Sequence, residues 1–460
     1  MRRALLTLCF LLIGAGARGS ENPSSLSSWI DQQIQASPFA HAVWGVLVME
    51  GDAVLHARNE GALMVPASVR KLFVAVAAAE CLPPSHRIPT ELRYDGTIEG
   101  ETLDGNLILS GKGDPSLGGR LYPDRDRVLD PFVDELRRRG ITRITGSVIG
   151  DGSFFEGDRF PEGWKIEDLG LGYAPPVDAL AWNENAIGVF IRSEGCHVSL
   201  TTDPSIVNAR SGASCGEGNS RVEIDPDNDV RLTGTVQAES ALRIELASIA
   251  DPVLYAAQAL DERLRRAGLS VEGEPRAVEE GLAGELLVSI ESPRLVDLLA
   301  VLLEESANLY GEMLLYQAGA GRSTISRDEA LTSEETLLAS QIGIPADEME
   351  FRDGSGLSVE NLVTPRAILR LVRYMAEPER RGLWEEVMAT PGEGTLRRRA
   401  PELAGRLFAK TGSLGQAAAL AGFVYGPGGR RRDFVLIVNN KPAGGAMSLL
   451  TSIVEQIARF

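Results

Sequence analysis

Pro66-Ala67-Ser68-Val69-Arg70-Lys71-Leu72-Phe73-Val74-Ala75-Val76 opens an alanine-rich apolar helix that runs on to about residue 80. Proline suits a first helical turn, where its missing N–H costs no hydrogen bond. Ser68 and Lys71 stand three apart, so they share one helix face. The serine hydroxyl can turn toward the amine there, while the helix dipole favours negative charge developing nearby. Alone, the pair reads equally as a capping serine and a solvated lysine. Lysine is scarce, however: Lys71, Lys112, Lys165, Lys410 and Lys441 are the five among 46 basic residues. Only Lys71 has a serine three positions before it. Arginine does not release its proton in a protein, whereas a desolvated lysine does. A site that moves a proton must therefore keep lysine.

Upstream, a helix is expected over 26–36, and strands over 42–49 and 53–57. Glu50-Gly51-Asp52 makes the hairpin turn between these strands. At the other end, 406–410, 417–425 and 433–439 read as strands, with a turn at Gly426-Pro427-Gly428-Gly429. Residues 447–460 carry apolar residues at helical spacing. Two strands from the start and three from the end predict one antiparallel five-stranded sheet flanked by helices, an α/β (α+β) class. The middle differs. Residues 132–150 and 260–274 each read as a helix ended by glycine and followed by a strand. They suggest two related units of an inserted α/β domain. Residues 170–245 alternate short strands with Gly, Asn and Asp turns. The expected division is 1–17 leader, 21–92 with 293–460 catalytic, 93–168 with 245–292 inserted, and 169–244 a nested β-rich insertion.

Met1-Arg2-Arg3, an apolar run over 4–17 and Ala15-Gly16-Ala17 have the layout of a cleavable secretory signal. The run is shorter than the roughly 20 residues needed to span a bilayer. Export to the periplasm or the cell exterior is expected. The net charge of −18 argues against nucleic acid as a partner, because phosphate binding needs a basic surface. It also disfavours docking on anionic lipid, so peripheral membrane contact is not required. Cys196 and Cys215 sit among Gly, Ser and Asn and suit a loop-tying disulfide; Cys81 is expected to be a buried free thiol. No Cys or His grouping has zinc-ligand spacing, and His41, His56, His86 and His197 read as ordinary residues.

Two further motifs add to Ser68 and Lys71. Lys410-Thr411-Gly412-Ser413 lies where a strand runs into a turn. Its two hydroxyls and ammonium suit a carboxylate, and Gly412 leaves room for a substrate backbone. Ser306-Ala307-Asn308 interrupts the apolar helical stretch 300–317 with small polar residues, as a loop turned into a cleft would. Singly, these read as a strand end and a helix junction. Together and in this order, Ser-x-x-Lys, Ser-x-Asn and Lys-Thr-Gly form the triplet of serine β-lactamases and penicillin-binding proteins.

On these motifs the chain resembles the D-alanyl-D-alanine carboxypeptidase/endopeptidase family of class C low-molecular-mass penicillin-binding proteins, the penicillin-binding protein 4 type. Asp353-Gly354-Ser355-Gly356-Leu357-Ser358, Gly113-Asp114-Pro115-Ser116-Leu117 and Gly394-Thr395-Leu396 also match. Ser306 follows Ser68 by 238 positions, an interval that would hold the two domains this family inserts there. The resemblance implies cleavage of D-Ala-D-Ala or D-Ala-to-diaminopimelate amides in peptidoglycan stem peptides, with no metal or cofactor. Ser68 would be the nucleophile and Lys71 its base, with Lys410 helping to depress the Lys71 pKa. Ser306 would relay a proton and Asn308 would hold the substrate amide. Lys410, Thr411, Gly412 and Ser413 would bind the carboxylate end, and the backbone N–H groups of Ser68 and Ser413 would form the oxyanion hole. β-Lactams would acylate Ser68. Alternatives are a β-lactamase or esterase on the same fold, or a non-catalytic wall-binding protein. One departure stands out: Val359 follows Gly-Leu-Ser where many relatives carry an arginine associated with the free end of the diamino acid.

Overall fold

Alternation along the strands decides the layers. Strands β1 (Val43–Glu50) and β2 (Ala53–Arg58) form a hairpin around Gly51. Its φ of +58° lies in the left-handed region that glycine enters without penalty. Strands β3 (Leu407–Ser413), β4 (Ala417–Tyr425) and β5 (Arg431–Asn439) complete a sheet in the order β2-β1-β5-β4-β3. Every pairing in it is antiparallel. Trp44, Val46 and Val48 of β1 and Phe434, Leu436 and Val438 of β5 share one core with helices α1 (Leu26–Ala36) and α5 (Met447–Arg459). Leu47, Val435 and Ile437 enter the opposite core, with helices α2 (Lys71–Cys81), α3 (Asn308–Ala320) and α4 (Pro365–Met375). A one-residue slip would exchange the two faces, so both cores fix the register. The five strands and the helices α1, α2, α3 and α5 match stretches expected from sequence; α4 was not among them. The computed structural model describes residues 25–118, 120–320, 324–442 and 444–460. The predicted leader over 1–17 lies outside the described residues, and none of the described helices is long and apolar enough to cross a membrane.

Helix α2 is apolar on every side, and Lys71 through Ala78 are all buried. That is the pattern of a helix enclosed by its domain. It is not regular from its start: Ala67–Arg70 form a 3₁₀ turn and the α-helix begins at Lys71. In a 3₁₀ turn residues i and i+3 eclipse, which brings Ser68 and Lys71 closer than an α-helix would. Cys81 corrects the expectation of a buried thiol. It is the last residue of α2, beyond the buried stretch, and is exposed.

A second core belongs to the middle of the chain. Its five-stranded mixed sheet runs Arg276–Val278, Val148–Asp151, Leu107–Gly111, Pro89–Tyr94, Glu285–Glu291. The two helix-glycine-strand units lie side by side. Ser270–Val271 pairs in parallel with Arg143–Ile144, and Arg276–Val278 with Val148–Asp151. Gly140 and Gly268, which end the two helices, have φ of +75° and +87°. The expected borders at 92/93 and 244/245 need correction, because they cut the strands Pro89–Tyr94 and Arg243–Ser248. Each strand pairs as a whole within one sheet, and a hydrogen-bonded ladder is not divided between domains. Within 186–248 lie a three-stranded and a four-stranded sheet. Cys196 and Cys215 are disulfide-bonded there, with Cα atoms 5.1 Å apart.

Candidate active site

Three distant parts of the chain meet at the 3₁₀ turn before α2. The Lys71 amine donates to Ser68 Oγ at 3.0 Å, Asn308 Oδ1 at 2.7 Å and the Ser355 carbonyl at 2.5 Å. From β3, the Lys410 amine donates to Ser306 Oγ at 2.8 Å and to the Thr411 carbonyl at 2.9 Å. Both ammonium-bearing side chains are fully buried, while Ser68, Ser306 and Asn308 are half-buried and border the cleft. The structure thus brings together Ser68, Lys71, Ser306, Asn308 and Lys410.

Backbone shape places these side chains. Ser306 has φ of +62° and ends a π-helical turn at Val301–Glu305, so the chain reverses into the cleft before α3 begins at Asn308. Ala67 also has positive φ, +49°. A left-handed residue other than glycine costs about 1–2 kcal/mol, and such strain gathers at functional sites. On β3, a Cβ built at Gly412 would lie 2.7 Å from the Pro66 carbonyl oxygen and 3.0 Å from the Ser68 nitrogen. Only glycine lets the strand pass this close to the Ser68 turn. Thr411 is buried beside it, and Ser413 is exposed at the strand end.

Burial pushes the Lys71 amine down to about 7; Asp353 and Glu312 oppose the shift, and Arg70 adds to it. Burial also pushes Lys410 well below the usual lysine range, and the charge of Lys71 repels its proton. The two amines repel each other, so each disfavours the charged form of the other. Lys71 in addition has two carboxylates, Asp353 and Glu312, that favour its charged form.

The loop after Phe351 holds the Lys71 amine, and sequence motifs alone did not reveal how. Asp353 is fully buried and accepts from Gly356 N–H (2.8 Å), Asn361 Nδ2 (2.8 Å), Ser358 N–H (2.7 Å) and Trp164 Nε1 (2.9 Å). Arg70 binds buried Glu334 with both guanidinium prongs, one at 2.6 Å, and donates to the Asp353 carbonyl at 2.9 Å. Its guanidinium carbon lies 3.8 Å from the centroid of the Phe351 ring. Gly356 has φ of +78°, and a Cβ there would sit 2.1 Å from the Ala67 carbonyl oxygen. The glycine density of this stretch was the readable signal of a tight loop; its acceptor, Asp353, was not.

The middle of the chain reaches the same place. Asn308 Nδ2 donates to the Tyr173 carbonyl at 2.7 Å. Trp164 and Ala174 pack with Leu357. A groove of about 700 Å³ extends from Ser306 and Asn308 along Tyr173, Leu246 and Arg120. Val359 is partly exposed, at 39%.

Known proteins share this arrangement of chain. The profile of the D-Ala-D-Ala carboxypeptidase 3 (S13) family matches residues 26–457. A D-alanyl-D-alanine carboxypeptidase of Actinomadura sp. (strain R39) is 28% identical, covering 97% of this chain and 86% of its own length. D-alanyl-D-alanine carboxypeptidase DacB of Haemophilus influenzae is 27% identical, over 84% of this chain and 82% of its own. Among solved structures, penicillin-binding protein 4 from Haemophilus influenzae matches with a TM-score of 0.83 at 24% identity, covering 94% of this chain and 99% of that one. A predatory peptidoglycan endopeptidase from Bdellovibrio bacteriovorus matches with a TM-score of 0.51 at 16% identity, covering 90% and 91%.

Proposed function

Because the chain belongs to the D-Ala-D-Ala carboxypeptidase 3 (S13) family, we propose that this cleft hydrolyses the D-alanyl amide of peptidoglycan stem peptides through an acyl-enzyme on Ser68. The observation that carries the reading is the buried Lys71 amine, 3.0 Å from Ser68 Oγ. With its pKa near neutrality, it accepts the hydroxyl proton as Ser68 attacks the carbonyl carbon. The C–N bond then breaks, and Ser306, held by Lys410, relays a proton to the leaving amine. Water, activated in turn by Lys71, hydrolyses the ester and restores the serine. Asn308 orients Lys71 and holds the substrate amide. Lys410, Thr411 and Ser413 bind the terminal carboxylate, whose charge favours the ammonium form of Lys410. The Ser68 and Ser413 N–H groups face the developing oxyanion. Donors aimed where charge develops are worth about 3–4 kcal/mol each. Gly412, on β3 beside Ser68, keeps those two N–H groups near one another.

The groove beyond Ser306 and Asn308 supports cross-linked stems, and so endopeptidase action, beside the carboxypeptidase reaction. β-Lactams, which imitate the substrate, acylate the same serine. The sequence before residue 25 supports export, with the reaction taking place in the periplasm or cell wall. The chain divides into a catalytic unit built from both ends and an insertion carrying a smaller one. Ser68→Ala is expected to lose both D-alanine release from a pentapeptide and covalent labelling by a fluorescent penicillin. Labelling that persists in this variant refutes Ser68 as the nucleophile. The lifetime of the penicilloyl adduct in the parent protein separates this reading from a β-lactamase, which would release it within seconds.

A further inference from the structure

Glu312 stands one helical turn beyond Asn308 on α3, so both face α2. Its side chain is fully buried. One carboxylate oxygen accepts the Ser355 N–H at 2.7 Å, and both oxygens lie 3.1 Å from the Gly354 nitrogen. The carbonyl of the same Ser355 accepts from the Lys71 amine at 2.5 Å. One residue thus has its N–H on a carboxylate and its C=O on the amine. The contact is fixed by close backbone approach: a Cβ at Gly354 would lie 2.2 Å from the Gly311 carbonyl oxygen, and one at Gly311 3.0 Å from that of Gly354.

A neutral amide would suffice to hold two N–H groups. A buried carboxylate carries a desolvation cost that an amide avoids, so its charge calls for a reason beyond shape. The amine next in line supplies one. We propose that Glu312 is a positioning residue for Lys71, fixing the Ser355 carbonyl against the amine and supplying the buried negative charge that sets the pH at which that amine becomes a base. The proposal rests on the reading of Lys71 as the base.

The charged groups around this pair are Arg70 at the start of α2, Arg327 and Glu334 on the helix Arg327–Leu337, and Asp353 in the loop; Lys410 faces Lys71 from β3. Arg70 and Glu334 are bound to each other. Burial and Asp353 push Glu312 up to about 7, and Arg327 opposes them. Both members of the relay therefore titrate near neutrality. An anion at Glu312 favours the ammonium form of Lys71, so removing the charge must lower the pH at which Lys71 loses its proton.

With five lysines in the chain, ε-¹³C-lysine labelling yields a short set of NMR signals, and Lys71→Arg assigns the one sought. In Glu312→Gln, which keeps an acceptor for the loop, the Lys71 midpoint is expected to fall by about one pH unit. The acid limb of acylation by a fluorescent penicillin should move with it. A folded variant with an unmoved Lys71 midpoint overturns the proposal, as does a loss of acylation that is uniform across pH. If Glu312→Gln does not fold, Arg327→Leu provides the second test. It leaves the loop hydrogen bonds in place and lets Glu312 hold its proton to higher pH. The Lys71 midpoint must again fall, and a midpoint unmoved or raised overturns the proposal. The NMR midpoint is read without substrate. A parent protein that penicillin fails to acylate therefore sinks the function proposed above and leaves this test standing.

Discussion

On the function proposed above, a single amine carries most of the chemistry, and its environment sets its working range. Lys71 is buried with its pKa near 7, so below that pH it is increasingly protonated and unable to accept from Ser68. Acylation is expected to fall about tenfold per unit below pH 6.5 and to level off above pH 8, as rapid-quench labelling with penicillin would show. Lys71→Arg keeps the charge and removes the base, and acylation at pH 8 should drop about 10²–10⁴-fold. The spacing of Ser68 and Lys71 was legible because it is local, three positions on one turn. Glu312 was not: its partner Ser355 is 43 positions away, and a glutamate in an apolar helix carries no mark of what it will meet. Cys81 misled for a related reason, since the apolar run reaches Ala79 while burial ends at Ala78.

At the level of elements, the decisive meeting is that of β3 with the 3₁₀ turn at Ala67–Arg70. Gly412 makes the meeting close. A methyl group there would crowd the Pro66 carbonyl oxygen at 2.7 Å and the Ser68 nitrogen at 3.0 Å, so Gly412→Ala must push the strand off the turn. The expected result is a loss of about 10²-fold in penicillin acylation, the size of effect that a displacement near 1 Å produces. Thermal unfolding should change far less, because the rest of β3 stays paired along β4. A variant that acylates normally would show that the strand and turn need no such contact. The strands of this sheet were readable as apolar runs bounded by turn residues. The exact form of the turn was not, because one helical period serves a 3₁₀ start and an α-helical start alike.

Across the whole molecule, the middle of the chain meets the cleft through specific hydrogen bonds beside apolar packing such as Phe155 stacked on Tyr316. Trp164 donates to buried Asp353 at 2.9 Å, and the Tyr173 carbonyl receives Asn308 Nδ2. Trp164→Phe keeps the packing against Leu357 and removes one donor from the carboxylate. A buried acceptor left short costs about 1–3 kcal/mol, so calorimetry should show a lowered Tm. Acylation should slow as well, because Asp353 shapes the loop that presents the Ser355 carbonyl to Lys71. Unchanged Tm and rate would mean the indole N–H is dispensable. The long interval between motifs was visible in the sequence. The contacts that return it to the cleft were not, because each depends on one side chain or carbonyl whose partner lies far away in sequence.

The pairing of β1 with β5 joins Trp44 to Val438, 394 positions apart. A ribosome adding about 5–20 residues per second needs roughly 20–80 s to make that interval. During that time Ser68 exists without the strand beside it. Nascent chains arrested before residue 407 already contain Ser68, Lys71, Ser306 and Asn308, yet lack the wall on which the cleft closes. The wall of the cleft that carries Lys410 and Gly412 is thus among the last parts of the chain to emerge.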